Sequence, residues 1–160
     1  MKILKELIPY VIIIVVVVLI RLFIITPVQV DGSSMYPTLK NNEIVMLKKY
    51  DKSYHRFDIV VLKSSQGRLI KRVVALPGET VEVKNNKLYI NNKVVKQKFK
   101  MNTDTTDFKK VKVPKNHYFV MGDNRNNSAD SRIIGSINKK DIQGTVGIRI
   151  FPLNKIGKIK

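Results

Sequence analysis

Three short segments of this chain hold side chains that could do chemistry together. The first, residues 31–39 (DGSSMYPTL), sets Ser34 between Gly32 and Pro37. A serine in such a turn can present its hydroxyl beside neighbouring backbone N–H groups. Acyl transfer needs that combination of a nucleophile and donors for an oxyanion. Ser and Gly are also ordinary turn residues, so the segment alone reads either way. The second, residues 68–79 (RLIKRVVALPGE), places Lys71 inside an apolar run. Strict alternation puts Lys71 on one face with Leu69 and Val73. Such a lysine either reaches water at a sheet edge or is buried. If buried, desolvation lowers its pKa toward neutrality and makes it a usable base. The third, residues 121–132 (MGDNRNNSADSR), concentrates Asp123, Arg125, Asp130 and Arg132. These charges can pair and fix the shape of a loop, without naming a reaction.

Other chemistries find little support. The two histidines, His55 and His117, do not stand where a Ser-His-Asp triad would place one. The absence of cysteine excludes disulfides, thiolate nucleophiles and Cys-based zinc sites. No metal or cofactor is expected.

The elements that must position these segments fall into two parts. Residues 7–25 (LIPYVIIIVVVVLIRLFII) are almost continuously apolar, with Arg21 the one charge. Roughly 20 such residues cross a bilayer as a helix. Pro9 falls near the start, Arg21 can snorkel at the far end, and Thr26-Pro27 should break the helix. A cleavable signal peptide is the competing reading, but no small-x-small site follows the apolar core. Residues 1–26 are therefore expected to be a transmembrane anchor and residues 27–160 an all-β domain, a folded sheet with a partly closed barrel. Strand patterns occupy residues 28–30, 43–49, 58–63, 68–76, 79–84, 118–121 and 146–151. Asn-Asn turns are expected at 84–87 and 90–93. Residues 99–112 read as an exposed polar loop and 152–160 as a basic tail.

The formal net charge is +18, which implies attraction to something anionic. The lysines are scattered, and no finger, RNP-type or basic-zipper pattern is present, so nucleic acid is not an expected partner.

Taken together, Ser34-Met35-x-Pro37-Thr38-Leu39, then Lys71-Arg72-Val73, then Gly122-Asp123-Asn124-Arg125-x-x-Ser128-x-Asp130-Ser131-Arg132, behind an N-terminal anchor, resemble type I signal peptidase. The single-anchor Gram-positive form is the nearer likeness. The resemblance implies a membrane-bound Ser-Lys endopeptidase that removes signal peptides from exported preproteins. Ser34 would be the nucleophile and Lys71 the general base. Ser128 would orient Lys71, Asp130 and Arg132 would form one ion pair, and Asp123 and Arg72 another. The nucleophile's own N–H would serve the oxyanion, and Gly32 stands where some members carry a further hydroxyl donor. Val28, Val30 and Met35 would line shallow pockets for small substrate side chains, with the substrate added as an extended strand. The implied partners are preprotein signal peptides, the lipid bilayer and the secretion machinery. The implied location is the cell membrane, single-pass, with the N-terminus cytoplasmic and the catalytic domain outside. The chain departs from the family pattern at Phe57 and Ala75, where glycine is usual, and at Glu79, where aspartate is usual.

Overall fold

The computed structural model describes residues 2–64 and 67–159. Helix α1, Lys2–Phe23, is built from the apolar run. At ~1.5 Å per residue its 22 residues span ~33 Å, the thickness of a bilayer's hydrocarbon core. Its large apolar side chains from Leu7 to Phe23 are exposed all round and pack on nothing in the domain. In water that surface would be costly; in lipid it is matched. The C-terminal carbonyls of α1 are capped by the domain. Lys49 Nζ donates to the carbonyls of Arg21 and Leu22 at 3.2 and 3.1 Å, and Thr26 Oγ1 donates to Arg21 O at 2.7 Å. A cation at a helix C-terminus also complements its dipole. The helix stops at Phe23, before the Thr26-Pro27 pair expected to break it.

Thr26 and Pro27 instead lie within strand β1, Ile25–Gln29. Strands β2 (Ile44–Lys48), β3 (Ile59–Ser64), β4 (Gly67–Ala75), β5 (Thr80–Lys84), β6 (Lys87–Ile90) and β7 (Lys93–Val94) follow. After them come β8 (Phe108–Lys112), β9 (His117–Met121), the short helix α2 (Ser131–Ile134), β10 (Ile137–Asn138), β11 (Ile142–Phe151) and β12 (Gly157–Lys158). The larger sheet has the order β1-β2-β11-β3-β4-β9-β10, with β12 beside β11, and the smaller one β7-β6-β5-β8. Pro27 has no N–H to donate, and it sits on the edge strand where none is required. Both Asn-Asn turns form as expected: Asn85, Asn86, Asn91 and Asn92 have φ between 50° and 64°, which asparagine tolerates.

Two expectations are corrected. The segment read as a loop over 99–112 ends in β8, which pairs with β5. Its exposed lysines hide the strand pattern, but Phe108 stacks on Phe119 with centroids 5.6 Å apart. The tail 152–160 also folds back: β12 pairs with β11, and Ile159 packs on the core. The β5–β8 pairing joins residues about 30 positions apart, and β12 is only two residues long, so neither gives a readable strand pattern.

The core that carries the first candidate segment includes Val28, Val30, Met35, Leu39, Val45, Leu47, Ile59, Val61, Ile70 and Val146. Met35 and Leu39, 1% and 0% exposed, plug the segment into the sheet on either side of the turn.

Candidate active site

The Lys71 side chain projects from the middle of β4 and is 2% exposed. Alternation sets it on the side of the strand that carries Leu69 and Val73, and Val60 faces it across the β3–β4 ladder. Of the two fates open to it in the sequence, it has the buried one. Burial lowers its pKa below the ordinary lysine value; Asp130 opposes the shift and Arg132 adds to it. Lys71 Nζ lies 2.7 Å from Ser34 Oγ and donates to it. With a neutral amine the same contact reverses, and the Ser34 hydroxyl donates to nitrogen.

Ser34 is held from behind by the third segment. The Asn124 N–H donates to Ser34 O at 3.0 Å, and Asn124 Nδ2 donates to Ser33 O at 3.1 Å. Asn127 Nδ2 donates to Ser33 Oγ at 2.9 Å. Among the described residues no group accepts from the Ser34 N–H, which leaves it free for a carbonyl oxygen. Gly32 has φ +83° with open space beside its Cα, so no side chain stands in for a hydroxyl there.

Both ion pairs form. Arg72 grips Asp123 with two bonds, Nε to Oδ1 at 2.8 Å and Nη2 to Oδ2 at 2.6 Å, and both side chains are almost fully buried. Thr38 Oγ1 donates to the same Asp123 Oδ2. Asp123 therefore ties the strand of Lys71 to the segment of Ser34. Arg132 holds Asp130 by Nε and Nη2, each at 2.8 Å. Asp130 also accepts from the Gly122 N–H at 2.9 Å and caps α2. Burial works to raise the Asp130 carboxyl, but the bonds from Arg132 and Gly122 and the Arg132 charge more than offset it. Its pKa lies below the usual carboxylate value.

The remaining sequence candidates are placed differently. Ser128 makes no hydrogen bond to Lys71. Its Oγ is buried without a partner of good hydrogen-bond geometry, close to Asp130, whose charged form it favours. Lys71 Nζ bonds to Ser34 Oγ. Val28 and Val30 share a face, as alternation requires, but that face is turned to the core: they are 5% and 3% exposed.

Several residues that matter here gave no clear signal in the sequence. Asn124 and Thr38 lie inside the quoted motifs yet have chemistry that many loop residues share. Arg125 is 2% exposed; it donates to Gly122 O, Thr105 Oγ1 and Gln97 Oε1, and burial lowers its guanidinium to about 10. A contiguous arginine in a polar loop would be expected to reach water. Among the described residues no group of acidic and imidazole side chains is arranged to hold a metal ion.

The chain is similar to known proteins over most of its length. The family described as "Signal peptidase, peptidase S26" matches residues 3–151. The chain belongs to this family. It is 47% identical to signal peptidase I S of Bacillus subtilis (strain 168), over 92% of this chain and 89% of that one. It is also 47% identical to signal peptidase I of Bacillus amyloliquefaciens, over 92% and 87% of the two chains. The crystal structure of a signal peptidase I from Enterococcus faecalis V583 superimposes with a TM-score of 0.51 at 34% identity, covering 58% of this chain and 96% of that one. As a member of the S26 peptidases the chain is a serine peptidase, and its exposed apolar helix accords with membrane attachment.

Proposed function

We propose that Ser34 and Lys71 are the nucleophile and general base with which this chain cleaves signal peptides from preproteins. The observation that carries the reading is the 2.7 Å contact between a serine hydroxyl and a buried lysine amine of lowered pKa. The neutral amine takes the Ser34 proton as Oγ attacks the scissile carbonyl. The Ser34 N–H receives the oxyanion. The ammonium of Lys71 then gives its proton to the departing amine. Water, deprotonated by Lys71, hydrolyses the ester and frees Ser34. Asp123, Arg72, Asp130 and Arg132 touch no reacting atom in this scheme: Asp123 and Arg72 tie the strand of Lys71 to the segment of Ser34, and Asp130 and Arg132 shape the third segment itself.

The substrate adds as a strand along β1. Val30 bonds through both N–H and C=O to the chain next to β2, so by alternation the groups of Pro27 and Gln29 face outward at the edge. Val28, Val30 and Met35 face the core, so they would shape any pocket for small side chains from beneath the β1 edge. The anchor α1 crosses the membrane once with its N-terminus in the cytoplasm, so that the domain meets preproteins on the outer side as the secretion machinery delivers them. The lipid bilayer is then a direct partner.

The test is cleavage of a preprotein, in lipid or detergent, by wild type and by Ser34→Ala. Cleavage after a small residue by the wild type alone is expected. Equal cleavage by both would sink the assignment of the nucleophile.

A further inference from the structure

We propose that Phe99 is a positioning residue for the reaction: its ring keeps water from the Arg72–Asp123 pair and so fixes the strand of Lys71 against the segment of Ser34. The inference rests on the Ser34–Lys71 reading above. The Phe99 ring centroid lies 4.1 Å from Arg72 Cζ. Arg125 Cζ lies 5.8 Å from the same ring. The Phe57 ring meets it edge-on at 5.3 Å, and the Phe57 carbonyl accepts from Arg72 Nη1 at 2.8 Å. Phe99 is therefore the apolar cover of a guanidinium whose polar edge is already occupied by Asp123 and Phe57.

The segment that carries Phe99 is docked for this purpose. Gln97 and Thr105 accept from Arg125, the Asn102 N–H donates to Asp123 O at 3.3 Å, and Asn102 Nδ2 donates to Asn124 Oδ1 at 3.2 Å. Lys98 and Lys100 on either side of Phe99 are exposed, so the extended chain turns one side chain in and its neighbours out. The physical argument concerns dielectric. An ion pair holds two elements firmly only while water is excluded from it. A ring over a guanidinium adds its own attraction when the site is dry. Asp123 bonds to Thr38 as well as to Arg72, and Asn124 bonds to Ser34 O. Slack in the pair therefore reaches the nucleophile directly.

The experiment measures kcat and KM on a preprotein with the full chain in lipid, for wild type, Phe99→Ala, Phe99→Leu and Phe99→Tyr. Phe99→Ala is repeated in an Arg72→Lys background, and Ser34→Ala is run alongside. Phe99→Ala and Phe99→Leu should lower kcat about tenfold with KM changed less than about twofold. Phe99→Tyr, which keeps the ring, should restore it. In the Arg72→Lys background Phe99→Ala should cost clearly less, because an ammonium makes neither the two-bond grip on Asp123 nor the flat contact with the ring. Wild-type kcat in folded Phe99→Leu, or the same loss in both backgrounds, would overturn the proposal. If Phe99→Ala does not fold, Phe99→Leu decides, since it keeps apolar bulk for folding but is too short and too branched to lie flat over the Arg72 guanidinium and shield it from water. Should Ser34→Ala still cleave, the fault lies in the nucleophile assignment and not in Phe99.

Discussion

Lys71 and Arg72 are consecutive in β4 and serve opposite sides of it. Lys71 reaches Ser34 Oγ on one side, and Arg72 binds Asp123 on the other. One strand thus carries both the proposed base and the tie that holds the proposed nucleophile's segment in place. The alternation of a β-strand makes this possible at adjacent positions, and it explains why a Lys-Arg dipeptide can lie buried in an apolar run. Among the described residues no carboxylate is hydrogen-bonded to the buried lysine, whereas the buried arginine has one.

The lysine should therefore make the folded protein less stable near neutral pH. Its folded pKa lies below the 10.5 of an ordinary lysine. Between the two values the unfolded chain binds more protons than the folded one, so stability rises with pH across that window. Below the window the cost is present in full, and above 10.5 it is gone. Lys71→Met should raise the melting temperature at neutral pH, with the gain shrinking as pH approaches 10.5. A lower melting temperature for Lys71→Met at every pH would contradict the buried, destabilised amine.

Catalysis has the matching pH signature. Activity should climb with pH along a single limb centred below 10.5, as Lys71 loses its proton. Lys71→Ala should lose at least about a hundredfold in kcat/KM, and Lys71→Arg should not rescue it, because a guanidinium stays charged. A flat rate from mildly acidic to alkaline pH would count against Lys71 as base.

Removing the other buried partner should cost both stability and rate. Asp123→Ala leaves Arg72 charged and buried with no carboxylate, keeping only the Phe57 carbonyl and the Phe99 ring, a change worth roughly 3–5 kcal/mol. It also frees Thr38, so kcat should fall although neither reacting side chain is altered. Urea unfolding and steady-state kinetics on the same preparation would check both. An unchanged midpoint with unchanged kcat would remove Asp123 from the positioning role.

Much of this site was legible in the sequence because its members are local signals of unusual type: an apolar helix of bilayer length, a lysine in an apolar strand, a dense polar loop. Ser34 and Lys71, and both ion pairs, were named from those segments and their likeness to a family. What was not legible depends on which elements pair and pack, not on the local pattern of any one of them. Strand β8 hides behind exposed lysines, and β12 consists of two residues whose pairing is set by β11. Phe99 looked like one residue of a polar loop because its partner guanidiniums lie 27 and 26 positions away. The substrate pockets were read from alternation alone, which assigns a face but not whether that face meets the core.

Phe57 offers a test of how a departure from the family pattern is absorbed. It stands where glycine is usual and adopts φ +73°, a conformation that costs a non-glycine residue ~1–2 kcal/mol. Its ring contact with Phe99 offsets part of that. Phe57→Gly relieves the backbone but loses the ring, whereas Phe57→Ala loses the ring and keeps the strain. The alanine variant should be less stable than the glycine variant by ~1 kcal/mol, measured by urea unfolding. The reverse order would show that the turn relaxes once the ring is gone.

Gly122 sets the most stringent steric condition on the site. A Cβ built there would collide with Ser34 O and with Ser128 Oγ. One neighbour is the backbone of the proposed nucleophile itself, which cannot rotate away as a flexible side chain would. Its position is fixed from two sides: the Asn124 N–H bonds to Ser34 O, and Met35 is packed in the core. Gly122→Ala should therefore push the Ser34 segment away from Lys71. A displacement of about 1 Å from productive geometry is enough to cost on the order of a hundredfold in rate. The expected result is a folded protein with kcat reduced by about that factor and KM little changed. Wild-type kcat in Gly122→Ala would mean that the loop, and not the nucleophile, yields, and that the 2.7 Å contact of Ser34 with Lys71 survives independently of the third segment.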